Sequence, residues 1–484
     1  MRSLSVFLAL RAASSSSIGG TSSALALRSS PALASRGGFS FRPLKLGRSL
    51  SSLSSNGSDG DGDATMAPSN TISNTNTGMP REEIGRRLTG LPMGPYPVGV
   101  TTVQIDGDPK RGRGLQTEVW YPASEASRAS PVTKYSDYLG LDKARDPVAA
   151  RAAANARTAI GGYRDGISVE ELDDPSETTW LTTAVRNAGV AEKDPNHGDD
   201  PGTGWPLVVF SHGSGAYRAS YGFWTEFLAS HGYVVAACDH PGSARYTIVD
   251  GEVITPGGAR SKRERMEKDR PLDVLQVLDG IASNPSGLPL FGAVDTNNVA
   301  ITGMSFGGYT TAATLELGDP RITAAVMMCS SMAMSGTMDY HTPSRKNKST
   351  PVMVMIGTED TVLGPDCNDA NRRYVDHHED GDAYLLELVR GGHVSFTSCE
   401  LYDPEYGNGI NARGRSKSMT KPGETYLPWG ISDQHAAINH YGLCFLNKYV
   451  KKKKGAGGAN AVMERDAFDA SEVLLTANRD GLVR

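Results

Sequence analysis

The sequence predicts an α/β fold: a mostly parallel central sheet with helices on both faces and a cap insertion. Three observations carry this reading. From Pro206 to Val450, short apolar runs alternate with helical periods, the pattern of strands buried on both faces. One run, Asn298-Val299-Ala300-Ile301, leads into Gly303-Met304-Ser305-Phe306-Gly307 and then into the helix formers Thr311-Ala312-Ala313-Thr314-Leu315. That is the strand–turn–helix setting of a nucleophile elbow. Lastly, an Asp and a His each follow a later strand directly, and such a sheet places its chemistry at the carboxyl ends of its strands.

Taken in order, the chain opens with residues 1–58, which hold no Asp or Glu but several Arg among many Ser and Ala. The composition reads as an organellar transit peptide, mitochondrial before plastid; a secretory signal around Leu4–Leu10 is the competing reading, interrupted by Arg11. Residues 59–94 read as a disordered linker. The folded part is expected over 95–450. Val98–Val103 and Leu115–Tyr121 form an antiparallel pair. Residues 125–204, with a helical patch at 147–152, read as an insertion capping the site. Leu207–Phe210 is a strand, Tyr217–Ser230 an amphipathic helix, and Tyr233–Ala237 the next strand. A long helix spans Arg263–Ile281, with Leu272, Leu275, Val277, Leu278 and Ile281 on about one face. Strands at Ile322–Met328, Val352–Ile356 and Tyr384–Val389, a helix near 368–379 and a closing helix His435–Val450 complete the domain. Residues 451–484 read as a tail that begins Lys451-Lys452-Lys453-Lys454. Such a run is a solvated end or a peripheral contact with anionic lipid headgroups.

Composition removes several classes. Lys and Arg number 49 against 54 Asp and Glu, a formal charge of −5, which gives no global case for a nucleic-acid partner. No apolar run approaches the ~18 residues of a membrane span. The five cysteines are scattered, with no Cys-x-x-Cys pair to suggest zinc or redox chemistry. Cys238, Cys329 and Cys444 lie in apolar runs and read as core; a Cys367–Cys399 bridge stays open.

The elbow supplies the chemistry. A turn this tight excludes side chains two residues before and after Ser305, so Gly303 and Gly307 are required there. A serine at its ordinary pKa needs a base, and the base needs an orienting carboxylate; along the chain the order is Ser, acid, His. His393, in Gly391-Gly392-His393-Val394, follows a strand and is the candidate base. His377 and His378 read as a solvated helix face, and His435 and His440 belong to the closing helix. Asp360, after Ile356-Gly357-Thr358-Glu359, is the candidate acid, with Glu359 as fallback and Asp339 as rival. An oxyanion hole needs two backbone amides: Phe306, after the nucleophile, and Ser214, in the loop Ser211-His212-Gly213-Ser214-Gly215. His212 reads as structural to that loop. Tyr217 and Trp429 are candidates for a substrate pocket. The reaction calls for no metal and no cofactor.

Glu118-Val119-Trp120-Tyr121-Pro122, Phe210-Ser211-His212-Gly213-Ser214-Gly215-Ala216-Tyr217-Arg218, Leu228–Ala236 and Gly303-Met304-Ser305-Phe306-Gly307-Gly308 resemble the platelet-activating-factor acetylhydrolases and the dienelactone-hydrolase-like α/β-hydrolases. The similarity covers about 95–450, with 125–204 and 400–430 outside it. It implies an α/β-hydrolase fold and a serine carboxylic-ester hydrolase acting on short-acyl esters, such as acetylated or oxidised phospholipids. Two departures stand out. The animal acetylhydrolases carry the acid soon after the strand that follows the elbow, where this chain reads Met328-Cys329-Ser330-Ser331. True dienelactone hydrolases carry a cysteine nucleophile, where this chain has Ser305. A peptidase or thioesterase, and a non-catalytic binding module, are the alternatives on the same fold.

Overall fold

The computed structural model describes residues 78–478 apart from 108–110, 158–168, 173–180, 196–201, 259–261, 336–348, 399–415 and 452–466. The targeting expectation on 1–58, and the rival acid Asp339 with His341, lie outside the described residues. Strands β1 (Val98–Ile105) and β2 (Leu115–Pro122) form the expected antiparallel pair. Next come β3 (Val185–Arg186), β4 (Trp205–Ser211) and β5 (Val234–Cys238), then a hairpin of β6 (Thr247–Val249) and β7 (Glu252–Ile254). The strands β8 (Val294–Met304), β9 (Ile322–Met328), β10 (Val352–Gly357) and β11 (Ala383–Leu388) follow. A small hairpin, β12 (Ser416–Lys417) and β13 (Thr425–Tyr426), precedes β14 (Val473–Ala477). Ten strands make one sheet in the order β14-β11-β10-β9-β8-β4-β5-β2-β1-β3. Only β2 and β14 run against the rest.

Successive side chains of a strand face opposite ways, and the body of the sheet has apolar residues at both parities. Val208 and Phe210 of β4 enter one core, Leu207 and Val209 the other. The chain leaves β4 towards β5 on one side and later returns as β8 on its other side. This is a topological switch point, and the crevice over it is where such sheets hold their ligands.

The main helices are α1 (Arg81–Thr89), α2 (Pro147–Arg157), α3 (Gly222–Ser230), α4 (Arg263–Ser283), α5 (Phe306–Leu315), α6 (Pro365–Asp376) and α7 (Ile431–Leu446). Several differ from expectation. α1 falls inside the stretch read as linker. It buries Ile84 and Leu88 and ends at left-handed Gly90, where a Cβ would lie 1.9 Å from the Ser432 carbonyl of α7. The charged sequence around two apolar residues hides this helix; the docking partner makes it. α3 starts at Gly222, and all nine of its residues are buried, so it is not amphipathic. The buried stripe of α4 is Val274, Val277, Leu278 and Ile281, together with Arg270 and Asp273. Leu272, expected in that stripe, is 41% exposed. Val277, Leu278 and Ile281 are buried as expected, but on the Leu272 side the core-facing positions hold the buried ions Arg270 and Asp273.

The stretch 125–204 is woven into the domain. Tyr135, Tyr138, Leu139 and Ala150 join the main core, β3 extends the sheet, and Thr182 and Thr183 bind the buried Glu226 carboxylate at 2.6–2.7 Å. The tail also differs: β14 pairs antiparallel with β11 and closes that sheet edge. Val473 and Leu475 point inward while Leu474 and Thr476 point out, a period of two in Val473-Leu474-Leu475-Thr476 that marks a half-buried strand. Truncation after Val450 removes both buried side chains and bares β11. We expect a loss of about 3–6 kcal/mol and a lowered thermal midpoint; an unchanged midpoint would show that β14 contributes no stability.

Candidate active site

β8 ends at Met304 and α5 begins at Phe306, so the chain reverses within Ser305 alone. Ser305 takes φ 58°, ψ −116°, a conformation L-residues rarely adopt. Its amide donates to the Met328 carbonyl of β9 at 2.8 Å, and its carbonyl accepts from Tyr309 and Ser331. The glycines are needed for close approach. A Cβ on Gly307 would lie 1.9 Å from the Ser211 carbonyl, and one on Gly303 would lie 2.3 Å from that of Gly307.

Asp360 and His393 come together at the ends of β10 and β11. His393 Nδ1 lies 2.7 Å from Asp360 Oδ2, both buried. Oδ1 of Asp360 accepts from the Val362 and Leu363 amides at 3.0 and 2.9 Å. Burial alone would raise this carboxyl's pKa, but the charge and hydrogen bond of His393, the Leu363 amide and the Cys329 thiol outweigh it and hold it below the usual range. With Nδ1–H donating to the carboxylate, Nε2 is left to accept a proton.

Cys329 was expected only as core. Its sulfur, an Asp360 oxygen and a His393 ring nitrogen all lie within 4.8 Å of one another. Burial, then the nearby Asp360 charge, pushes the thiol well above its ordinary pKa, so it stays protonated and donates to Asp360. Cys329 also directly follows Met328, the acceptor of the Ser305 amide. The elbow and the Asp360–His393 pair therefore meet at adjacent residues, Met328 at the end of β9 and Cys329 just past it. At the place where the resemblance would put the acid, this chain has a thiol that supports the acid from the next strand.

The fallback acid has another task. The Glu359 carboxylate takes the Ser418 hydroxyl at 2.9 Å, the Met419 amide and the Thr420 hydroxyl, and so anchors the β12–β13 hairpin. Among the other histidines, His378 is buried against the Thr350 carbonyl and His435 against that of Thr397; burial pushes His435 down to about 4. His377 is exposed.

The glycine loop after β4 lies beside the elbow: a Cβ on Gly213 would come within 3.4 Å of Ser305 Cβ. The Gly213, Gly215 and Ala216 amides donate to the Tyr221 hydroxyl, the Ser243 carbonyl and the Gly213 carbonyl. The Ser214 and Phe306 amides have no partner among the described residues. Phe306 opens α5, where the helix terminus favours negative charge. Its ring is buried against the Arg270 and Arg263 guanidiniums, 4.5 and 4.8 Å from the centroid. Tyr217 is fully buried in the core, and Trp429 precedes α7, with its carbonyl held by Gln434. Both make packing contacts.

A hydrogen-bonded Ser–His–Asp array lies behind this loop. Ser211 Oγ is 2.9 Å from His240 Nε2, and His240 Nδ1 is 3.0 Å from Asp273 Oδ2. All three are essentially inaccessible, so no substrate reaches Ser211. Sequence reading missed it, although Asp239-His240-Pro241-Gly242 directly follows β5, the same signal that singled out His393.

Comparison with known proteins agrees with this architecture. The family model for platelet-activating factor acetylhydrolase, isoform II, matches residues 178–256. The guinea pig (Cavia porcellus) platelet-activating factor acetylhydrolase is 27% identical over 292 residues, 55% of this chain and 62% of the relative. The Bos taurus enzyme is 31% identical over 145 residues, 24% of this chain and 33% of the relative. The chain has the α/β-hydrolase fold and is similar to the platelet-activating factor acetylhydrolases. It spans less than two thirds of the length of these relatives. The fold is also that of a ferulic acid esterase from Streptomyces cinnamoneus, with TM-score 0.55, 20% identity, and 80% of this chain and 98% of that one covered. The stretch matched by the family model contains the glycine loop and ends before Ser305.

Two outcomes test the geometry. In Gly307→Ala the new methyl meets backbone, so the elbow must open; stability falls by about 1–3 kcal/mol by overpacking, measured by urea unfolding. Asp360→Asn tests the acid through pH. The depressed Asp360 pKa contributes stability above the unfolded carboxylate value of about 3.9, and this is lost as pH falls through the lower folded value. The stability gap between wild type and Asp360→Asn therefore narrows below about pH 4. A gap independent of pH would mean that the Asp360 charge is not linked to folding.

Proposed function

We propose that the protein is a serine carboxylic-ester hydrolase that works through an acyl-enzyme. The 2.7 Å contact of His393 with Asp360, joined through Cys329 to Met328, whose carbonyl accepts from the Ser305 amide, carries this reading. Ser305 Oγ attacks the ester carbonyl while His393 Nε2 takes its proton, and Asp360 steadies the imidazolium. The Ser214 and Phe306 amides stabilise the tetrahedral oxyanion. His393 then returns the proton to the leaving alcohol. Water, deprotonated by the same nitrogen, releases the acid and restores Ser305. Relatives named platelet-activating factor acetylhydrolase support a short acyl group on a phospholipid as the substrate class.

The test is release of acid from p-nitrophenyl esters, acetate to palmitate, by the full chain and by Ser305→Ala. The expected result is activity that falls with chain length and drops on the order of 10⁶-fold in kcat in the variant. Activity retained in Ser305→Ala would refute the mechanism. Activity confined to thioester or peptide analogues would move the chain to a different hydrolase class.

A further inference from the structure

We propose that His212 is a positioning residue that aims the Ser214 amide at the reacting oxygen, held in place by the buried Ser211–His240–Asp273 array. The inference rests on the esterase reading of Ser305.

The partners of His212 decide its tautomer. Its Nε2 lies 3.1 Å from the backbone nitrogen of His240, which can only donate, so Nε2 carries no proton. Nδ1 therefore holds the proton and donates to the Gly213 carbonyl at 2.7 Å. Among the described residues no peptide bond is cis. In a trans peptide the C=O and the following N–H point to opposite sides. Fixing the Gly213 carbonyl against His212 turns the Ser214 N–H the other way. The Ala216 amide adds a second donor to the same carbonyl at 3.3 Å.

The imidazole is fixed in turn. Arg113 donates twice to Asp273, at 2.9 and 2.7 Å. Asp273 accepts from His240 Nδ1, whose Nε2 accepts from the Ser211 hydroxyl. Ser211 Oγ accepts from Arg270 at 3.0 Å. Arg270 also donates to the His212 carbonyl and stacks on the Phe306 ring, so one guanidinium touches the segments carrying both candidate oxyanion amides. The Ser211 hydroxyl proton and the ring protons of His212 and His240 each have one acceptor. Burial and the surrounding Arg270, His240 and Arg218 push the His212 pKa well below its usual value; burial and Arg270 push His240 down to about 3. Both rings stay neutral at the pH of catalysis, and neither competes with His393 as a base.

The test uses two substitutions in the full chain. His212→Asn places an amide N–H near the former Nδ1 and keeps the bond to Gly213. His212→Gln reaches instead to the Nε2 position and loses it. Turnover of p-nitrophenyl acetate is normalised to active sites titrated with a fluorophosphonate, so misfolded protein is not counted. We expect His212→Gln to lose about 10²–10³-fold in kcat per site, the size of one lost oxyanion donor, with KM little changed. The affinity of a trifluoromethyl ketone, which forms a tetrahedral adduct, falls in step. His212→Asn stays within about tenfold of wild type. Equal losses in the two variants, or a wild-type rate per site in His212→Gln, would overturn the proposal. If His212→Gln does not fold, ¹⁵N spectra of the wild-type histidines decide: His212 should be protonated at Nδ1 throughout about pH 5–9. An Nε2–H tautomer, or titration in that range, would overturn it. Failure of the esterase reading is separate, since it appears as wild-type inactivity or Ser305-independent turnover.

Discussion

The constraint on which the rest of the site depends is the approach of the elbow to the end of β4. Gly307 comes so near the Ser211 carbonyl that a single added carbon would sit 1.9 Å from it. That approach sets β8 against β4 at the switch point and puts the Gly213 loop against Ser305. It also leaves Ser305 no ordinary backbone conformation. The cost of φ 58° is borne by the surrounding sheet, whose hydrogen bonds fix both ends of the turn.

Close backbone packing at the switch point comes with an unusual amount of buried charge. Arg218, at the end of the glycine loop, is inaccessible and bonds Glu118 of β2 at 3.1 Å and Asp239 after β5 at 2.6 Å. Its guanidinium also meets the Tyr138 carbonyl, and Arg186 of β3 meets the other Glu118 oxygen. Burial works against the Arg218 charge, yet the two carboxylates hold its pKa above the ordinary value. Such pairs add little net stability but are costly to break, because the remaining charge is stranded. Their effect here is directional: the segment 125–204, the β2 edge and the loop beside Ser305 are tied to one geometry. A hydrophobic core of similar volume would fill the space without fixing the loop's orientation.

Glu359 and Cys329 show how neighbouring groups divide tasks. Two acidic side chains stand side by side after β10, and backbone direction separates them. Asp360 turns inward to His393, while Glu359 turns to the β12–β13 hairpin. Cys329 contributes through a retained proton rather than as a nucleophile, because burial next to Asp360 disfavours its thiolate.

The sequence alone determined the sheet body, the elbow and the three residues proposed for the chemistry, because each depends on local pattern. Buried strands need apolar runs, the tight turn needs Gly303 and Gly307, and the loops that bear Asp360 and His393 follow their strands directly. What it left unread depends on partners far along the chain. α1 is a helix because α3 and α7 cover its two apolar residues, and β14 is a strand because β11 offers an edge. Leu272 faces out because Arg270 and Asp273 occupy the inner side of α4, a choice made by His240, Arg113 and Ser211 from three other segments. Only the tertiary structure separates Ser305, which keeps 7% of its surface exposed, from Ser211 at 1%. Both follow strand ends, and burial, which no local pattern records, decides which serine a substrate can reach.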